Sequence, residues 1–448
     1  MDRQQRGERG RQIGDELSRA GVRSVALTWV DNAGITRVKA VPVARFGHAA
    51  AWGVGMSPVF DVFLVDDSIT TSRYVGGPAG DLRLYPDLDR VSALAAQPGW
   101  AWAPVDRWTQ EGQPYPCCQR TLARTAAGRA AAEGLDLSMA FEVEWFLGSV
   151  DAVPACAGPA YGMTRVVELS AYIDDLMTAL DAQGVPVDQV HPEYAPGQLE
   201  LSVAAADPVL AADRTVLVRQ TVQAVSRAHG YQASFAPVVV AGQVGNGQHL
   251  HLSVRHEGRS LFAGGDGPYG LSGPGEALLA GLLARLPALT AISAPSVASY
   301  LRLVPQRWAA PYQCWGLENR EAALRLVTGS VGEHERAANA ELKCCDGSAN
   351  PYLVVAAVTA IAAASVAQPR RLPPEVPGDP ALSPEREQPP RLPRSIGEAV
   401  EALRADDVLP ALLGEPLLEA FCAVRLAEAL LFADSTPEAI AEASRWRY

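Results

Sequence analysis

The 448-residue chain lacks several features that mark specialised classes of protein. It has no CxxC pair, and its seven cysteines, an odd number, do not form a short secreted framework, so we expect reduced thiols in a cytoplasmic protein. The first 20 residues carry positive charge but no apolar segment and no small-residue cleavage site, so we expect no secretory signal. Acidic and basic residues are mixed throughout, with a net charge of −12, which argues against nucleic-acid or anionic-membrane partners.

Long hydrophobic runs are also scarce. The one membrane-like stretch, residues 351–367, is largely alanine and shorter than the ~20 residues that a membrane span needs. Asn350 and Pro351 make a good N-cap and first helical position, so this stretch is predicted to be a buried core helix. Residues 369–394 contain nine prolines, which predicts a loop.

The remaining patterns predict helices and strands in a chain long enough for two or three domains. Apolar residues alternate with polar ones on both sides of Asp31–Gly34, which predicts a β-hairpin. Proline and glycine cluster near 104–116, so we predict an N-terminal domain over 15–108 and a larger domain over 109–448. Helices are predicted near 14–20 and over 121–134, 170–184, 216–230, 276–293 and the C-terminal tail, and strands over 58–69, 140–147 and 236–242.

Two carboxylates share one face of the predicted strand AFEVEWFL, residues 140–147. Glu142 and Glu144 are separated by one apolar residue, and alternate side chains of a strand point to the same face. Two adjacent negative charges repel unless a cation lies between them, so this face is a candidate metal site. A solvated strand face is the alternative interpretation.

Two more carboxylates occur in HPEYAPGQLEL. Glu193 and Glu200 are seven residues apart, and the Pro196-Gly197 break excludes a helix between them. A turn at 195–197 brings both side chains to one site, whereas two unrelated surface glutamates are the default expectation.

The segment GNGQHLHLSV supplies imidazoles. His249, His251 and Ser253 alternate with apolar residues, which predicts a strand with a polar front behind a glycine-containing turn. Structural imidazoles bonded to carbonyl groups are the alternative. A site with many carboxylates and one imidazole suits Mg²⁺ or Mn²⁺, whereas Zn²⁺ favours more nitrogen or sulfur.

Positive charge follows in SYLRLVP and ENREAALR. Arg302, Arg320 and Arg325 carry guanidinium groups that bind carboxylate and phosphate oxygens in a bidentate manner, as phosphoryl transfer requires. Alternatively, Arg320 and Arg325 pair only with Glu318 and Glu321.

In their order these motifs resemble the glutamine synthetase family: EVE, HPEYAPGQLE, NGQHLHLS, RLVP, ENREAALR and ELKCCDGSANPYL. The resemblance extends from about residue 20 to the end of the chain. It implies an α+β fold with a small β-grasp-like N-terminal domain and a larger catalytic domain, in which helices flank a curved antiparallel sheet. It also implies a homo-oligomeric ring, commonly a dodecamer, with active sites between subunits, and ATP with two or three Mg²⁺ or Mn²⁺ ions per site.

The resemblance assigns roles to individual residues. Glu144, Glu193 and Glu200 hold one divalent ion, and Glu142, His249 and Glu341 hold a second ion that bridges ATP phosphates. Arg302 binds the glutamate carboxylate, with Gly245 and Asn246 in the adjacent loop, and Arg320 and Arg325 stabilise the phosphoryl group in transfer. His251, Ser253, Arg325 and Lys343 lie on the nucleotide side, Lys343 standing where the family usually has arginine.

One departure from the family concerns the amine. Ammonia-using members carry a glutamate in a flap after RLVP, which acts with an aspartate from the neighbouring subunit. Here residues 303–317 contain no carboxylate, and Trp308 stands near the position of the missing acid. Asp61 is the candidate for the aspartate. The absent flap acid predicts an ATP-dependent γ-glutamyl amide ligase whose amine is not ammonia.

Three other interpretations stay open at the level of the sequence. They are an authentic glutamine synthetase, a non-catalytic scaffold that kept the fold, and a guanidino kinase with related ATP chemistry. The intact metal ligands argue against the scaffold, and the ordered glutamate-binding motifs argue against the kinase.

Overall fold

The structure is a computed structural model that describes residues 2–448, and it mixes helices with sheets as the α+β prediction requires. The helices are α1 (Arg3–Arg19), α2 (Phe46–Trp52), α3 (Gln119–Ala132), α4 (Met163–Glu168), α5 (Ser170–Ala182), α6 (Pro208–Ala228), α7 (Gly273–Ser293), α8 (Ser299–Arg302), α9 (His334–Ala337), α10 (Pro351–Ala367), α11 (Ile396–Ala405), α12 (Leu409–Leu431) and α13 (Pro437–Ser444). The strands are β1 (Ser24–Val30), β2 (Thr36–Pro42), β3 (Val54–Met56), β4 (Leu82–Pro86), β5 (Ser92–Ala93), β6 (Trp100–Thr109), β7 (Leu135–Phe141), β8 (Val143–Gly148), β9 (Val187–Pro192), β10 (Gln198–Val203), β11 (Gln232–Ser234), β12 (Leu250–His256), β13 (Arg259–Ser260), β14 (Trp315–Leu317), β15 (Leu324–Val327) and β16 (Asn339–Leu342).

The N-terminal part forms a six-stranded sheet in the order β2-β1-β6-β4-β3, with β5 beside β6. The predicted hairpin is present, because β1 and β2 are antiparallel and the Asp31 side chain accepts hydrogen bonds from the N–H groups of Ala33 and Ile35 in the turn. Gly34 adopts a φ of +80° there, and a Cβ atom at this position would lie 1.9 Å from the Ser348 carbonyl oxygen. Thus the turn packs closely against the larger part of the chain. The division at residues 108/109 stays a prediction.

Two further sheets meet where β7 passes into β8. One has the order β11-β8-β10-β9, and the other has the order β13-β12-β16-β15-β14 with β7 paired to β12. Glu142 stands between β7 and β8, so the single strand predicted over 140–147 is interrupted at this residue. Its N–H donates to the His249 carbonyl (2.9 Å), and the Glu144 N–H donates to the Gly247 carbonyl (3.2 Å). These bonds hold the two sheets together around Glu142.

Two apolar helices form the centre of the core. Helix α10 begins as predicted, with the Asn350 side chain accepting from the N–H groups of Tyr352 and Leu353. Helix α7 packs against α10 so closely that a Cβ atom at Gly281 would lie 1.7 Å from the Ser365 hydroxyl. With 21 residues, α7 is long and apolar enough to cross a membrane, but 89% of its most apolar window is buried inside the protein. The expectation that residues 351–367 are the one membrane-like stretch is therefore wrong, because α7 is longer and also apolar. Both α7 and α10 are buried helices of the core.

The helix predicted near 14–20 is present but longer than expected, and two other local predictions are wrong. Helix α1 begins at Arg3, well before residue 14, because Asp2 and Gln5 form a capping box. Residues 58–62 form a 3₁₀ turn started by Ser57 and Pro58, where a strand was predicted. Residues 236–242 form an irregular loop, because the Pro237 and Val239 carbonyls bond to Asn246 and Arg445 instead of a neighbouring strand.

Candidate active site

A row of polar side chains crosses the sheet formed by β8, β10 and β9. Glu144 on β8 lies opposite Glu200 on β10, and Glu200 lies opposite His191 on β9. The His191 Nε2 atom is 3.2 Å from the Glu200 Oε1 atom, and its Nδ1 atom is 3.6 Å from the Glu193 Oε1 atom. Cross-strand pairing therefore gathers the carboxylates of two distant motifs on one face.

A second row crosses the other sheet. Arg325 on β15 lies opposite Glu341 on β16, which lies opposite His251 on β12. The Glu341 carboxylate accepts hydrogen bonds from Arg325 (3.0 Å) and from Lys343 (3.1 Å). This row places a buried carboxylate between two cations.

His249 lies where the two rows meet. Its Nδ1 atom is 3.3 Å from a Glu341 oxygen and 3.6 Å from a Glu142 oxygen, and its Nε2 atom is 3.7 Å from a Glu144 oxygen. Three groups of ligand atoms, each within 4.8 Å, result. They are Glu142, His249 and Glu341; Glu144, Glu200 and His249; and His191, Glu193 and Glu200.

All these groups open into one cavity of about 590 Å³. The predicted site residues that line it are Glu142, Glu144, Glu193, Glu200, Gly245, His249, Arg302, Trp308, Arg320, Arg325, Glu341 and Lys343. His251 and Ser253 do not line the cavity; His251 contacts Glu142 (3.2 Å) and Asn339, and the Ser253 hydroxyl donates to the Ala338 carbonyl. The structure thus assembles twelve predicted residues around one space, eleven from the six motif segments and Trp308 from the loop after Arg302.

The acids on the β8–β10 side carry more negative charge than their surroundings neutralise. Burial, together with the Glu193 carboxylate, raises the pKa of Glu144 to about 7. Burial also raises the pKa of Glu200 to about 6, although the hydrogen bond from His191 opposes this change. A bound cation relieves such crowding, and a donor set of carboxylates with one imidazole suits Mg²⁺ or Mn²⁺. The residues present therefore fit divalent ions.

The acids around the other row are held in their charged form. Burial raises the pKa of Glu142, but hydrogen bonds from His249 and His251 outweigh it and leave this pKa well below its usual range. Burial opposes ionisation of Glu341 as well, yet Lys343 and the two imidazoles lower its pKa to about 2. The hydrogen bond to Glu142 raises the pKa of His251 to about 9 against the effect of burial.

Asp61 does not line the cavity of its own chain. Its side chain is fully buried, and its carboxylate forms an ion pair with the equally buried Arg107 at 2.6 Å. Arg107 also donates to the Cys117 carbonyl and to Gln119, so the pair is fixed within the N-terminal part of the chain. The role predicted for Asp61 at the amine stays a prediction.

Asn246 does not line the cavity either, and substrate binding by this residue stays a prediction. Its amide nitrogen donates to the Ser234 and Ala236 carbonyls, and its amide oxygen accepts from Gln198 (3.2 Å). The whole side chain is engaged in holding the loop before His249. Gly245 does line the cavity, and a Cβ atom there would lie 2.0 Å from the Pro237 carbonyl oxygen.

Six cavity residues were not identified from the sequence, namely Tyr161, Gln189, His191, Gln198, Val244 and Arg307, and three of them contact the acids. His191 lies near the end of β9, two residues before Glu193, so the same period-two argument used for Glu142 and Glu144 could have found it. Gln198 donates to the Glu144 carboxylate (2.9 Å), and the Tyr161 hydroxyl donates to the Glu193 carboxylate (2.8 Å). Neither of these contacts leaves a signal in the sequence, because the partners are distant along the chain.

The loop after Arg302 carries the indole predicted to replace an acid. Trp308 lines the cavity, and its backbone N–H donates to the Glu321 carboxylate (3.0 Å). The alternative pairing of the arginines holds only in part. Arg325 pairs with Glu318 as well as with Glu341, while the exposed Arg320 lines the cavity.

Comparisons with known proteins agree with this site. Residues 116–442 match the glutamine synthetase catalytic domain. The gamma-glutamylpolyamine synthetase GlnA3 of Streptomyces coelicolor is 54% identical over 451 residues, which cover 98% of this chain and 97% of that relative. The gamma-glutamylanilide synthase of an Acinetobacter species is 26% identical, with coverage of 95% and 91%.

Solved structures agree in fold. A crystal structure described as a novel glutamine synthase homolog superposes with a TM-score of 0.87 at 33% identity, covering 95% of this chain and 99% of its own. A complex of GmaS with ADP gives a TM-score of 0.84 at 28% identity, covering 95% and 97%. The predicted resemblance, α+β fold class and ligase activity are confirmed. The chain therefore belongs to the glutamine synthetase family and is an ATP-dependent glutamate ligase that forms a γ-glutamyl amide.

Proposed function

We propose that the protein joins the γ-carboxyl group of L-glutamate to an organic amine other than ammonia, and that the amine is a diamine or polyamine. The observation that carries this proposal is the flap, where an indole lines the cavity and residues 303–317 hold no carboxylate. An ammonium ion needs an anionic or hydrogen-bond-accepting partner, whereas an indole favours carbon-bearing cations. The Streptomyces relative is named a gamma-glutamylpolyamine synthetase and the Acinetobacter relative a gamma-glutamylanilide synthase. Both names support an organic amine as the substrate.

The metal ligands are proposed to divide between two ions, either Mg²⁺ or Mn²⁺. Glu144, Glu193 and Glu200 form one set, and Glu142, His249 and Glu341 form the other. When bound, such ions neutralise phosphate charge during phosphoryl transfer. The third group of ligand atoms, which includes His191, leaves room for a further ion.

The arginines are proposed to bind the anionic substrates. The Nη1 atom of Arg302 is buried and has no hydrogen-bond acceptor within residues 2–448, which supports binding of the glutamate carboxylate. Arg320 and Arg325 face the same cavity and are proposed to stabilise the γ-phosphate of ATP as it moves. His251, Ser253 and Lys343 are proposed to lie on the nucleotide side.

The proposed chemistry has two steps. A carboxylate does not react with an amine at neutral pH, because its leaving group is an oxide. Transfer of the γ-phosphoryl group of ATP to the γ-carboxylate of glutamate gives an acyl phosphate with a good leaving group. The neutral amine then attacks the acyl carbon, phosphate leaves, and the nitrogen loses a proton to give the amide.

We further propose that the protein is cytoplasmic and assembles into a ring, commonly a dodecamer in this family, with active sites between subunits. Its partners are then the small molecules glutamate, ATP and the amine, and we propose that it binds neither nucleic acid nor a membrane.

The test follows phosphate release by purified protein with glutamate, ATP and Mg²⁺ against a panel that contains ammonium, alkylamines, ethanolamine, anilines, diamines and polyamines. We expect glutamate-dependent turnover with diamines or polyamines at a kcat/KM at least about tenfold above that with ammonium, a difference of ~1.4 kcal/mol. Efficient turnover with ammonium alone would show that the protein is an ordinary glutamine synthetase.

A further inference from the structure

Trp308 is held in an unusual backbone conformation at the mouth of the cavity. Its φ is +52°, in the left-handed region that bulky side chains rarely adopt. The carboxylate of Glu321 accepts a hydrogen bond from the Trp308 N–H group at 3.0 Å and so holds the strained residue in place. Strain of this kind persists only where the surroundings fix it, and it is common at ligand sites.

A second aromatic ring supports the indole. The rings of Tyr194 and Trp308 pack in a T-shaped arrangement, with centroids 5.1 Å apart and an interplanar angle of 74°. Both side chains remain partly open to solvent, at 46% and 43% exposure. Tyr194 directly follows Glu193 in the sequence, and Trp308 and Glu193 both line the cavity. Tyr194 is not itself on the cavity wall and extends the aromatic surface outward from Trp308.

The arginines on the cavity wall and the aromatic rings favour ligands of opposite charge. Arg302, Arg307 and Arg320 lie on the cavity wall, and Arg307 donates to the Gly242 carbonyl (2.6 Å). These cations favour anionic glutamate and phosphate and repel a second ammonium group. The ring faces of Tyr194 and Trp308 offer the opposite preference, since aromatic faces attract cations.

We propose that Tyr194 and Trp308 form an aromatic subsite for the alkyl chain and distal ammonium group of a diamine or polyamine, with Glu321 as a positioning residue for the indole. This inference rests on the proposed function and specifies how the amine is selected. The alkyl chain contacts the rings, and the distal ammonium lies against a π face. The amine that reacts is the other end of the same molecule.

The test compares a four-carbon diamine with n-butylamine, which has the same chain but no second charge. Tyr194→Ala is expected to raise the KM for the diamine roughly three- to tenfold while the KM values for glutamate and ATP stay unchanged. Tyr194→Phe keeps the ring and is expected to behave like the wild type. Trp308→Leu keeps apolar contact but loses the π face, so it is expected to abolish the preference for the diamine over n-butylamine.

The matched control is Tyr269→Ala. Tyr269 is 44% exposed and forms a T-shaped pair with Trp315 at 6.4 Å, and neither ring of that pair lines the cavity, whereas Tyr194 packs on the cavity residue Trp308. It is expected to leave every KM unchanged. Glu321→Ala frees the Trp308 N–H group and is expected to raise the KM for the diamine by a similar factor to Tyr194→Ala.

These measurements distinguish failure of the aromatic subsite from failure of the proposed function. If the wild type uses the diamine but Tyr194→Ala and Trp308→Leu leave its KM and its advantage over n-butylamine unchanged, the aromatic subsite is refuted and the proposed function stands. If no organic amine supports turnover by the wild type, the proposed function fails first. A parallel rise in the KM values for glutamate and ATP in Tyr194→Ala would also refute the subsite, because it would show general disruption of the cavity.

Discussion

Replacing Gln198 tests whether the carboxylates of the cavity are positioned for metal binding. The side chain is buried, and its amide nitrogen donates to the Glu144 carboxylate (2.9 Å) and to the Gly245 carbonyl (3.0 Å). Its oxygen accepts from the Ala195 N–H group (3.1 Å). Gln198→Leu keeps much of the volume but removes all these bonds at once.

The expected effect has two parts. Loss of a hydrogen bond that orients a metal ligand typically weakens metal binding about 10- to 100-fold, which is ~1.4–2.7 kcal/mol. The buried polar partners left behind reduce the free energy of unfolding by about 1–3 kcal/mol. We therefore expect the variant to unfold at a lower temperature than the wild type and to bind Mn²⁺ more weakly.

The assay is a Mn²⁺ titration of the nucleotide-free protein by electron paramagnetic resonance, which measures free ion without relying on turnover. Gln313→Leu is the matched control, because Gln313 is half-buried and likewise donates to a backbone carbonyl, that of Leu283 (2.9 Å), but lies outside the cavity. Unchanged Mn²⁺ affinity in folded Gln198→Leu would refute the reasoning that Glu144 is a ligand oriented by this amide.

Two other substitutions separate structural from functional roles. Asp61→Ala leaves the buried Arg107 cation unpaired, so thermal or chemical unfolding should show a loss of about 3–5 kcal/mol, with the kcat of the folded fraction retained. Normal stability with selective loss of amine use would instead restore Asp61 as a functional acid. Arg320→Ala should lower kcat about 100-fold or more with little change in the oligomer seen by size-exclusion chromatography, whereas unchanged kcat would remove Arg320 from the phosphoryl-transfer site.

The sequence predicted the cavity well because its residues follow local rules. Glu193 and Glu200 come together as predicted, since the turn at 195–197 reverses the chain and β9 pairs with β10. The pairing of Glu144 with Glu200 then follows from β8 lying on the other side of β10. Period-two alternation and the proline-glycine turn made this arrangement possible, but the grouping of Glu144, Glu193 and Glu200 came from the resemblance to the glutamine synthetase family.

The surroundings of two other predicted residues depend on contacts between distant parts of the chain, which the sequence does not show. Asp61 was chosen for its position in the sequence, but its environment is set by Arg107, which is 46 residues away and equally buried. Asn246 precedes His249 in a loop, and only the fold shows that Ser234 and Ala236 use its amide. Burial and long-range pairing of this kind have no periodic signature, so a single sequence does not reveal them.

Glu142 shows the same limit on a smaller scale. Its side chain was placed correctly on the face of Glu144, yet the strand is interrupted at this residue. The interruption arises because β7 belongs to one sheet and β8 to another, which the apolar alternation of 140–147 does not encode. The two sets of carboxylates that would hold divalent ions come from the two sides of this change of sheet.

A competition experiment tests the central claim most directly. The protein is incubated with glutamate, ATP and Mg²⁺ in equimolar ammonium and a four-carbon diamine, and the products are measured by mass spectrometry. The account predicts that the γ-glutamyl diamine exceeds glutamine about tenfold or more, as the indole of Trp308 in an acid-free flap requires. Glutamine as the main product would contradict it.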